Sequence, residues 1–271
     1  MTGVAIPAGL DATLVLVRHG ETTFIVEGRF QGQAPAPLTA TGRRQAALTG
    51  QRLARRASPP VLPIPGRPPV EIVHSPLVRT TETADEIVAA FGEAGATPVT
   101  RADDGYREIG QGRWEGLLVG EIEARWSDVL AGWRRDPLSS FAPDGESLPE
   151  VATRARAALD RQIASLAADA PGSSVDRPQV LGYRAAQPAP DQPWSIVVAH
   201  DGVFKVVLLS LLGLPLGAFW AFPFALGGIS ILEIRAGRAT LRAHNLTDHL
   251  APLLDQEAQV ASEQRERSGA L

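Results

Sequence analysis

Two mainly apolar segments constrain this fold, because each is followed at once by a histidine. Residues 14–17 precede Arg18 and His19, and residues 194–199 precede His200. Short apolar runs without alternation are typical of strands buried on both faces, as in parallel sheets. Open α/β sheets bind ligands at the carboxyl ends of their strands, so these side chains are candidates for a phosphate site. The alternative is a strand end with a surface ion pair and an incidental histidine.

Composition narrows the functional classes. The chain has 271 residues, is 44% hydrophobic and carries a formal charge of -4. This length fits one α/β domain over residues 1–271, and the mild acidity disfavours a nucleic-acid partner, which would need a concentrated basic face. Because the chain contains no cysteine, a disulfide framework, a thiolate nucleophile and a cysteine metal site are excluded.

The uncharged segment 206–232 is long enough to cross a bilayer, but Pro215, Pro223 and several glycines divide it. We therefore expect a buried helix over residues 203–212, a strand over 229–234 and no membrane partner. The aromatic residues at 219–224 are expected in the core or a pocket wall, with a homodimer interface left open. Residues 1–12 have no basic stretch and no apolar run, so we expect a cytoplasmic protein.

Hydrophobic spacing predicts the remaining elements. Strands are expected at residues 70–73 and 97–99, and helices at 43–56, 80–91, 121–134 and 149–167. Residues 22–37 are interpreted as an irregular loop for substrate contacts, and the proline-rich residues 58–69 as a surface connection. The prediction is an α/β three-layer sandwich, with a mostly parallel central sheet, helices on both faces and a small helical lid insertion.

The ordered core is expected at about residues 13–250. The glycine-rich segment 106–116 is interpreted as an ordered loop that holds Glu108 and Glu115, with Glu115 in a structural role. The helix that follows suggests a lid, within an insertion over about residues 101–160. Residues 170–193 are expected to form a mobile insertion, and residues 251–271 a polar tail.

Arg79 follows the strand at 70–73, near a predicted helix start where backbone N–H groups favour an anion. Its alternative role is a surface ion pair with Glu82. Two histidines and two arginines at neighbouring strand ends can surround a tetrahedral dianion. A divalent metal ion is disfavoured because two guanidinium groups would repel it, so no metal site is predicted.

Several short motifs, in order and spacing, resemble the histidine phosphatase superfamily in its phosphoglycerate-mutase-like branch, from about residue 13 to 250. The matching residues are Arg18-His19-Gly20-Glu21-Thr22, Gln31-Gly32, Ser75-Pro76-Leu77 with Arg79, Glu108, Trp114-Glu115-Gly116, Gly145-Glu146-Ser147 and His200. The resemblance implies that His19 forms a phosphohistidine and that Glu108 donates the proton to the leaving group. It further implies phosphate binding by Arg18, Arg79 and His200, and substrate binding by Thr22, Gln31 and Gly32.

Some positions depart from the family pattern. Ile25 stands where asparagine is frequent, and Asp201 stands where glycine is common. Ile109 and Gln111 stand at positions where the mutases have an arginine and a tyrosine, side chains that bind a substrate carboxylate. The residues that could bind a substrate carboxylate instead are Arg113, Arg134 and Arg135.

The leading expectation is a metal-independent phosphatase, without a cofactor, that acts on a small phosphorylated metabolite. The alternative is a 2,3-bisphosphoglycerate-dependent phosphoglycerate mutase, which returns the phosphoryl group to the product. A non-catalytic protein that binds a phosphorylated ligand is a more distant alternative. His19, Arg79, Glu108 and His200 are all present, and this favours catalysis.

Overall fold

A computed structural model describes residues 4–170 and 187–254 of the chain. The strands are β1 (Ala12–Arg18), β2 (Glu71–His74), β3 (Val99–Ala102), β4 (Trp194–Ala199), β5 (Ile229–Arg235) and β6 (Arg238–Leu246). They form one sheet in the order β3-β2-β4-β1-β5-β6. The first four in that order are parallel, whereas β5 and β6 run antiparallel to their neighbours. The predicted mostly parallel sheet is therefore confirmed.

In the described residues, six α-helices flank or extend this sheet. They are α1 (Thr23–Glu27), α2 (Ala40–Ala54), α3 (Val78–Glu93), α4 (Val119–Arg135), α5 (Leu148–Ala168) and α6 (Asp201–Leu212). A 3-10 segment, Leu216–Ala221, connects α6 to β5. With helices on both faces, the predicted three-layer architecture is confirmed.

Strand β1 is buried on both faces, as predicted. Leu14 and Leu16 belong to the apolar cluster that contains α5 and α6 residues, whereas Val15 and Val17 belong to the cluster with α2 and α3 residues. Successive side chains of a strand point to opposite faces, so an unbroken apolar run serves both layers. All four residues have no exposed surface.

The structure differs from the sequence prediction in two places. Residues 22–37 contain the short helix α1 besides irregular backbone. Strand β6 was not predicted, because it mixes charged and apolar residues and is mostly half-buried. The signal for it is the pair Ala236-Gly237, which joins β5 to β6 with φ values of 49° and 73°. Two consecutive positive φ angles are typical of a tight hairpin turn.

The uncharged segment 206–232 is divided between α6, the 3-10 segment and β5. Within residues 4–170 and 187–254, no helix combines the length and apolarity needed to cross a bilayer. Most of the predicted insertion at 170–193 lies outside the residues that the structure describes, and so does the tail beyond residue 254.

Candidate active site

The parallel pairing of β1 with β4 brings the two strand-end histidines together. Arg18 is paired with Ala199 in the register, and the backbone N–H of His19 donates to the Ala199 carbonyl at 3.1 Å. The His19 and His200 rings therefore follow neighbouring strands, with centroids 5.2 Å apart at an interplanar angle of 60°. Both are almost completely buried.

His19 has the tautomer that a nucleophile needs. Its Nδ1 lies 2.7 Å from the Gly20 carbonyl oxygen, which only accepts, so Nδ1 carries the proton and Nε2 keeps its lone pair. Burial, followed by the charges of Arg79 and Arg18, holds the pKa of His19 well below its ordinary value of 6.5. The ring is therefore neutral at pH 7.

Gly20 permits a close contact between two backbone segments. A Cβ at this position would lie 2.3 Å from the Gly42 carbonyl oxygen, so the glycine permits contact between the strand end and helix α2. The φ angle of Gly20 is not positive, so the glycine is not needed for a left-handed turn. The close approach is between two backbone segments, which the motif alone did not reveal.

Arg79 lies in the interior of the site. Its side chain has no exposed surface, and its guanidinium donates to the carbonyls of Gly32 at 2.7 Å and Ala34 at 3.2 Å. Burial lowers the pKa of Arg79 to about 10, against the opposing charge of Glu108, so the group stays charged at pH 7. The alternative pairing with Glu82 is wrong, because Glu82 binds Arg43 at 2.7 Å.

Ser75 and Arg79 together orient His200. Arg79 Nε donates to Nδ1 of His200 at 3.1 Å, and Nε2 of His200 lies 2.9 Å from Ser75 Oγ. Burial and then the charge of Arg79 hold the pKa of His200 well below 6.5. Ser75 was quoted in the sequence motif, but this hydrogen bond could be found only in the fold.

Arg18 offers an unused donor. Its Nη1 donates to the carbonyl of Phe224, whereas its Nε is buried with no hydrogen-bond partner among the residues described. A buried donor without a partner costs free energy unless a ligand satisfies it. Arg18, His19 and Arg79 line one cavity of about 320 Å³, and His200 lies behind this wall, hydrogen-bonded to Arg79. This end of the cavity is suited to an oxyanion.

Glu108 lines the same cavity and is anchored at the start of helix α6. Its Oε1 accepts from the N–H groups of Ile109 and Val203, each at 2.9 Å, and its Oε2 accepts from Gly202 at 3.1 Å. A Cβ on Gly202 would lie 2.6 Å from Oε1. Glycine is therefore required at this position for the carboxylate to reach the helix.

Arg154 holds the loop that carries Glu108. Its guanidinium donates to the carbonyls of Gly105, Arg107 and Glu108 at 2.7–3.0 Å, and it pairs with Glu146 at 2.8 Å. The structural role predicted for Glu115 is consistent with this ordered loop. Its Oε1 accepts from the N–H groups of Gln33 and Gln111, each at 2.9 Å.

The three candidate substrate-binding residues divide into two groups. Gln31 and Gly32 line the cavity. Thr22 is fully buried, caps helix α1 and donates from Oγ1 to Gln31 Oε1 at 2.7 Å. The structure therefore places Thr22 behind Gln31, where it orients that side chain.

The rest of the cavity wall has a different character, and we call it the aromatic end. It is formed by Phe30, Ile109, Gln111, Trp133, Asp201, Gly202, Lys205, Phe219 and Trp220. Trp133 comes from α4, which supports the prediction that this helix covers the site. Sequence reasoning did not assign Lys205 to the site, although one signal was available, since it is the only lysine of the chain.

The arginines that could have compensated for Ile109 and Gln111 lie elsewhere. Arg113 pairs with Asp144 and Arg134 pairs with Glu123, with all four side chains at least half exposed. Neither arginine belongs to the cavity wall, and Arg135 does not either. Asp201 binds Lys205 and the N–H of Phe224, so its carboxylate does not orient a histidine.

The fold and the site define a histidine phosphatase. The sequence matches the histidine phosphatase superfamily (branch 1) over residues 14–175 and 179–247, and the chain belongs to this family. The resemblance inferred from the motifs is thereby confirmed.

Relatives and solved structures agree with this assignment. The chain is 33% identical over 217 residues to glucosyl-3-phosphoglycerate phosphatase of Mycobacterium tuberculosis, covering 80% of each chain. It is 27% identical to phosphoserine phosphatase 1 of Hydrogenobacter thermophilus, covering 88% of this chain and 93% of that one. A solved mycobacterial glucosyl-3-phosphoglycerate phosphatase with VO3 has a TM-score of 0.67 at 28% identity, covering 87% of this chain and 99% of that one.

The protein is therefore an enzyme, a phosphoric monoester hydrolase that acts on small phosphorylated metabolites by the histidine phosphatase mechanism. No group of three or more His, Cys, Asp or Glu side chains in the described part of the chain is placed to hold a metal ion.

Proposed function

We propose that His19 is the nucleophile of this phosphatase, and that Glu108 is its general acid and base. The single observation that carries the proposal is the free Nε2 of a neutral His19, in a cavity that Arg18 and Arg79 also line. Arg18, Arg79 and His200 bind the phosphoryl oxygens and stabilise the charge that develops during in-line transfer. No step requires a metal ion or a cofactor.

The reaction proceeds in two transfers. Nε2 of His19 attacks phosphorus, the ester P–O bond breaks, and the leaving alkoxide takes a proton from Glu108. Water then attacks the phosphohistidine while Glu108 removes its proton, which releases inorganic phosphate and restores the imidazole. Gln31 and Gly32 contact the substrate at the wall of the cavity, and Thr22 holds Gln31 in place.

Phosphoglycerate mutase is the second candidate, because it uses the same phosphohistidine. The chain is 30% identical over 204 residues to a probable phosphoglycerate mutase of Yersinia enterocolitica, covering 74% of each chain. Ile109 and Gln111 provide no cation for a substrate carboxylate, and Arg113 pairs with Asp144 at the surface. Hydrolysis is therefore favoured over isomerisation. Rapid conversion of 3-phosphoglycerate with little free phosphate would reverse this choice.

The remaining sequence expectations form part of the same proposal. The enzyme acts as a single domain whose lid lies within residues 101–160, on a small metabolite and without a nucleic-acid or membrane partner. A cytoplasmic location is tested by cell fractionation. A homodimer is tested by light scattering of the purified protein.

Labelling with a 32P-phosphomonoester tests the roles of the two central residues. We expect His19→Ala to abolish both labelling and turnover. Glu108→Gln should retain labelling by an activated ester but lose turnover of an alkyl ester, because the poor leaving group needs its proton. Glu123→Gln is the matched control, since Glu123 is half exposed in a surface pair with Arg134. Full activity of His19→Ala would refute the proposal.

A further inference from the structure

Lys205 occupies the end of the cavity that the phosphate chemistry does not use. It is the only lysine among the 26 lysine and arginine residues of the chain, and its side chain is 7% exposed. Its Nζ lies 2.6 Å from Asp201 Oδ2 and 4.8 Å from the centroid of the Trp220 ring. A compact ammonium group fits the narrow space between this carboxylate and the aromatic face.

Three aromatic rings form the wall around this ammonium group. Phe219 and Trp220 pack edge to face at 4.8 Å, and Trp133 approaches them at 5.7 Å and 5.8 Å. Trp133 belongs to α4, whereas Phe219 and Trp220 lie between α6 and β5. Trp220 is 47% exposed although it lines the cavity, so much of its ring is free for a ligand.

The two ends of the cavity differ in charge. Arg18 and Arg79 make the phosphate end cationic, whereas Lys205 and Asp201 neutralise each other at the aromatic end. Nζ has three N–H donors and gives one to Asp201, so further donors and carboxylate lone pairs can serve a ligand. Aromatic rings together with paired donors and acceptors suit an uncharged ring that carries hydroxyl groups. A second anionic group at this position would be repelled by the Asp201 carboxylate.

We propose that Trp133, Asp201, Lys205 and Trp220 form a leaving-group subsite for a sugar ring. The ring packs against the tryptophans while its hydroxyl groups bind Lys205 and Asp201. The substrate class is accordingly a sugar phosphate whose ring carries no charge other than the phosphate. This inference rests on the proposed function of the phosphate end. A cavity of about 320 Å³ lies at the small end of the range for ligand pockets and suits a ligand of this size.

Three substrates test the subsite: glucose 6-phosphate, 3-phosphoglycerate with its added carboxylate, and acetyl phosphate, whose leaving group carries no ring. We expect the wild-type enzyme to have a higher kcat/KM for glucose 6-phosphate than for 3-phosphoglycerate. In Trp220→Ala and Lys205→Met, the ratio of kcat/KM for glucose 6-phosphate to that for acetyl phosphate should fall at least ten-fold, mainly through KM. Adenosine 5′-monophosphate is added to the panel to distinguish a nucleoside from a hexose.

Two further variants keep the result interpretable. Lys205→Met leaves Asp201 buried without its cation, so the double variant Lys205→Met with Asp201→Asn removes both charges together. Leu214→Ala is the matched control, because Leu214 is 41% exposed just after α6 and lies outside the cavity wall. The double variant should show the same loss of the ratio, whereas the control should keep the wild-type ratio.

The outcomes separate this inference from the proposed function. An unchanged ratio in both the Trp220→Ala and the double variant overturns the subsite, and so does a preference for 3-phosphoglycerate or for the nucleoside. If acetyl phosphate labels His19 of the wild type, the proposed chemistry stands whatever the ratio shows. If the wild type is neither labelled nor active on any ester, both proposals fail.

Discussion

Arg79 donates a hydrogen bond from Nε to Nδ1 of His200 at 3.1 Å. Because an arginine N–H can only donate, Nδ1 of His200 must be unprotonated, and its proton lies on Nε2, directed at Ser75 Oγ. The Ser75 hydroxyl accepts this proton in a hydrogen bond, so Arg79 and Ser75 together fix the orientation of the His200 ring.

Ser75→Ala removes this hydroxyl and should lower kcat/KM by about 3- to 10-fold, which corresponds to the net free energy of one hydrogen bond. The loss should appear mainly in KM, because the His200 ring is no longer held in one orientation. Ser75→Thr, which keeps the hydroxyl, should restore most of the activity. Ser139→Ala, at an exposed serine, is the control. Wild-type kcat and KM in Ser75→Ala would contradict the positioning role.

Acidification from pH 7 to pH 5 should destabilise the fold through its buried histidines. Burial places the pKa of His19 and of His200 below 6.5. Below pH 6.5 the unfolded chain therefore binds protons that the folded chain does not bind. The stabilisation is fully present above pH 6.5 and is lost as the pH falls towards the folded-state pKa values. We expect Tm to decrease from pH 7 to pH 5, and less steeply in His19→Gln. A Tm that rises on acidification would disprove this account.

Arg79→Lys should lower kcat/KM by at least about 100-fold, because removal of one preorganised donor costs about this much in other enzymes. A lysine cannot reproduce the three directed bonds to Gly32, Ala34 and His200, and its flexible ammonium group is a poorer match for an oxyanion. Arg43→Lys, in the surface pair with Glu82, should change stability by less than about 1 kcal/mol. Steady-state kinetics and thermal melts of the two variants test the contrast.

Gly202→Ala should uncouple Glu108 from helix α6. The new Cβ would lie 2.6 Å from Glu108 Oε1, so the carboxylate must leave its backbone donors. We expect a loss of at least 10-fold in kcat for an alkyl ester and a smaller loss for an activated ester that needs no proton. Gly120→Ala is the control, because nothing lies within 4 Å of that Cβ and alanine favours a helix. Equal effects on both esters would argue against the proton-transfer role.

The sequence predicted the elements that depend on local chemistry. The apolar runs at β1 and β4 indicated buried strands because the pattern of side chains reports burial directly. It also predicted helices α2 to α6, and its motifs supplied the candidate site residues, since Arg18, His19 and Arg79 lie at or shortly after strand ends.

Contacts between distant segments were not predictable in this way. The sequence did not show that Thr22 lies behind Gln31, that Gly20 serves the contact with Gly42, or that Arg79 points inward and away from Glu82. Each depends on side-chain direction, which spacing along one element does not determine.

The sequence alone determined that this chain forms a mostly parallel α/β sheet, and its motifs supplied a candidate phosphate site of histidines and arginines. Only the tertiary structure decided how those residues meet, because the register of β1 against β4 places His19 beside His200. It likewise brought Lys205 to the rings of Phe219 and Trp220, against which Trp133 of α4 packs. Local pattern encodes burial and backbone preference, whereas the shape and charge of a cavity arise from packing between residues far apart in the chain.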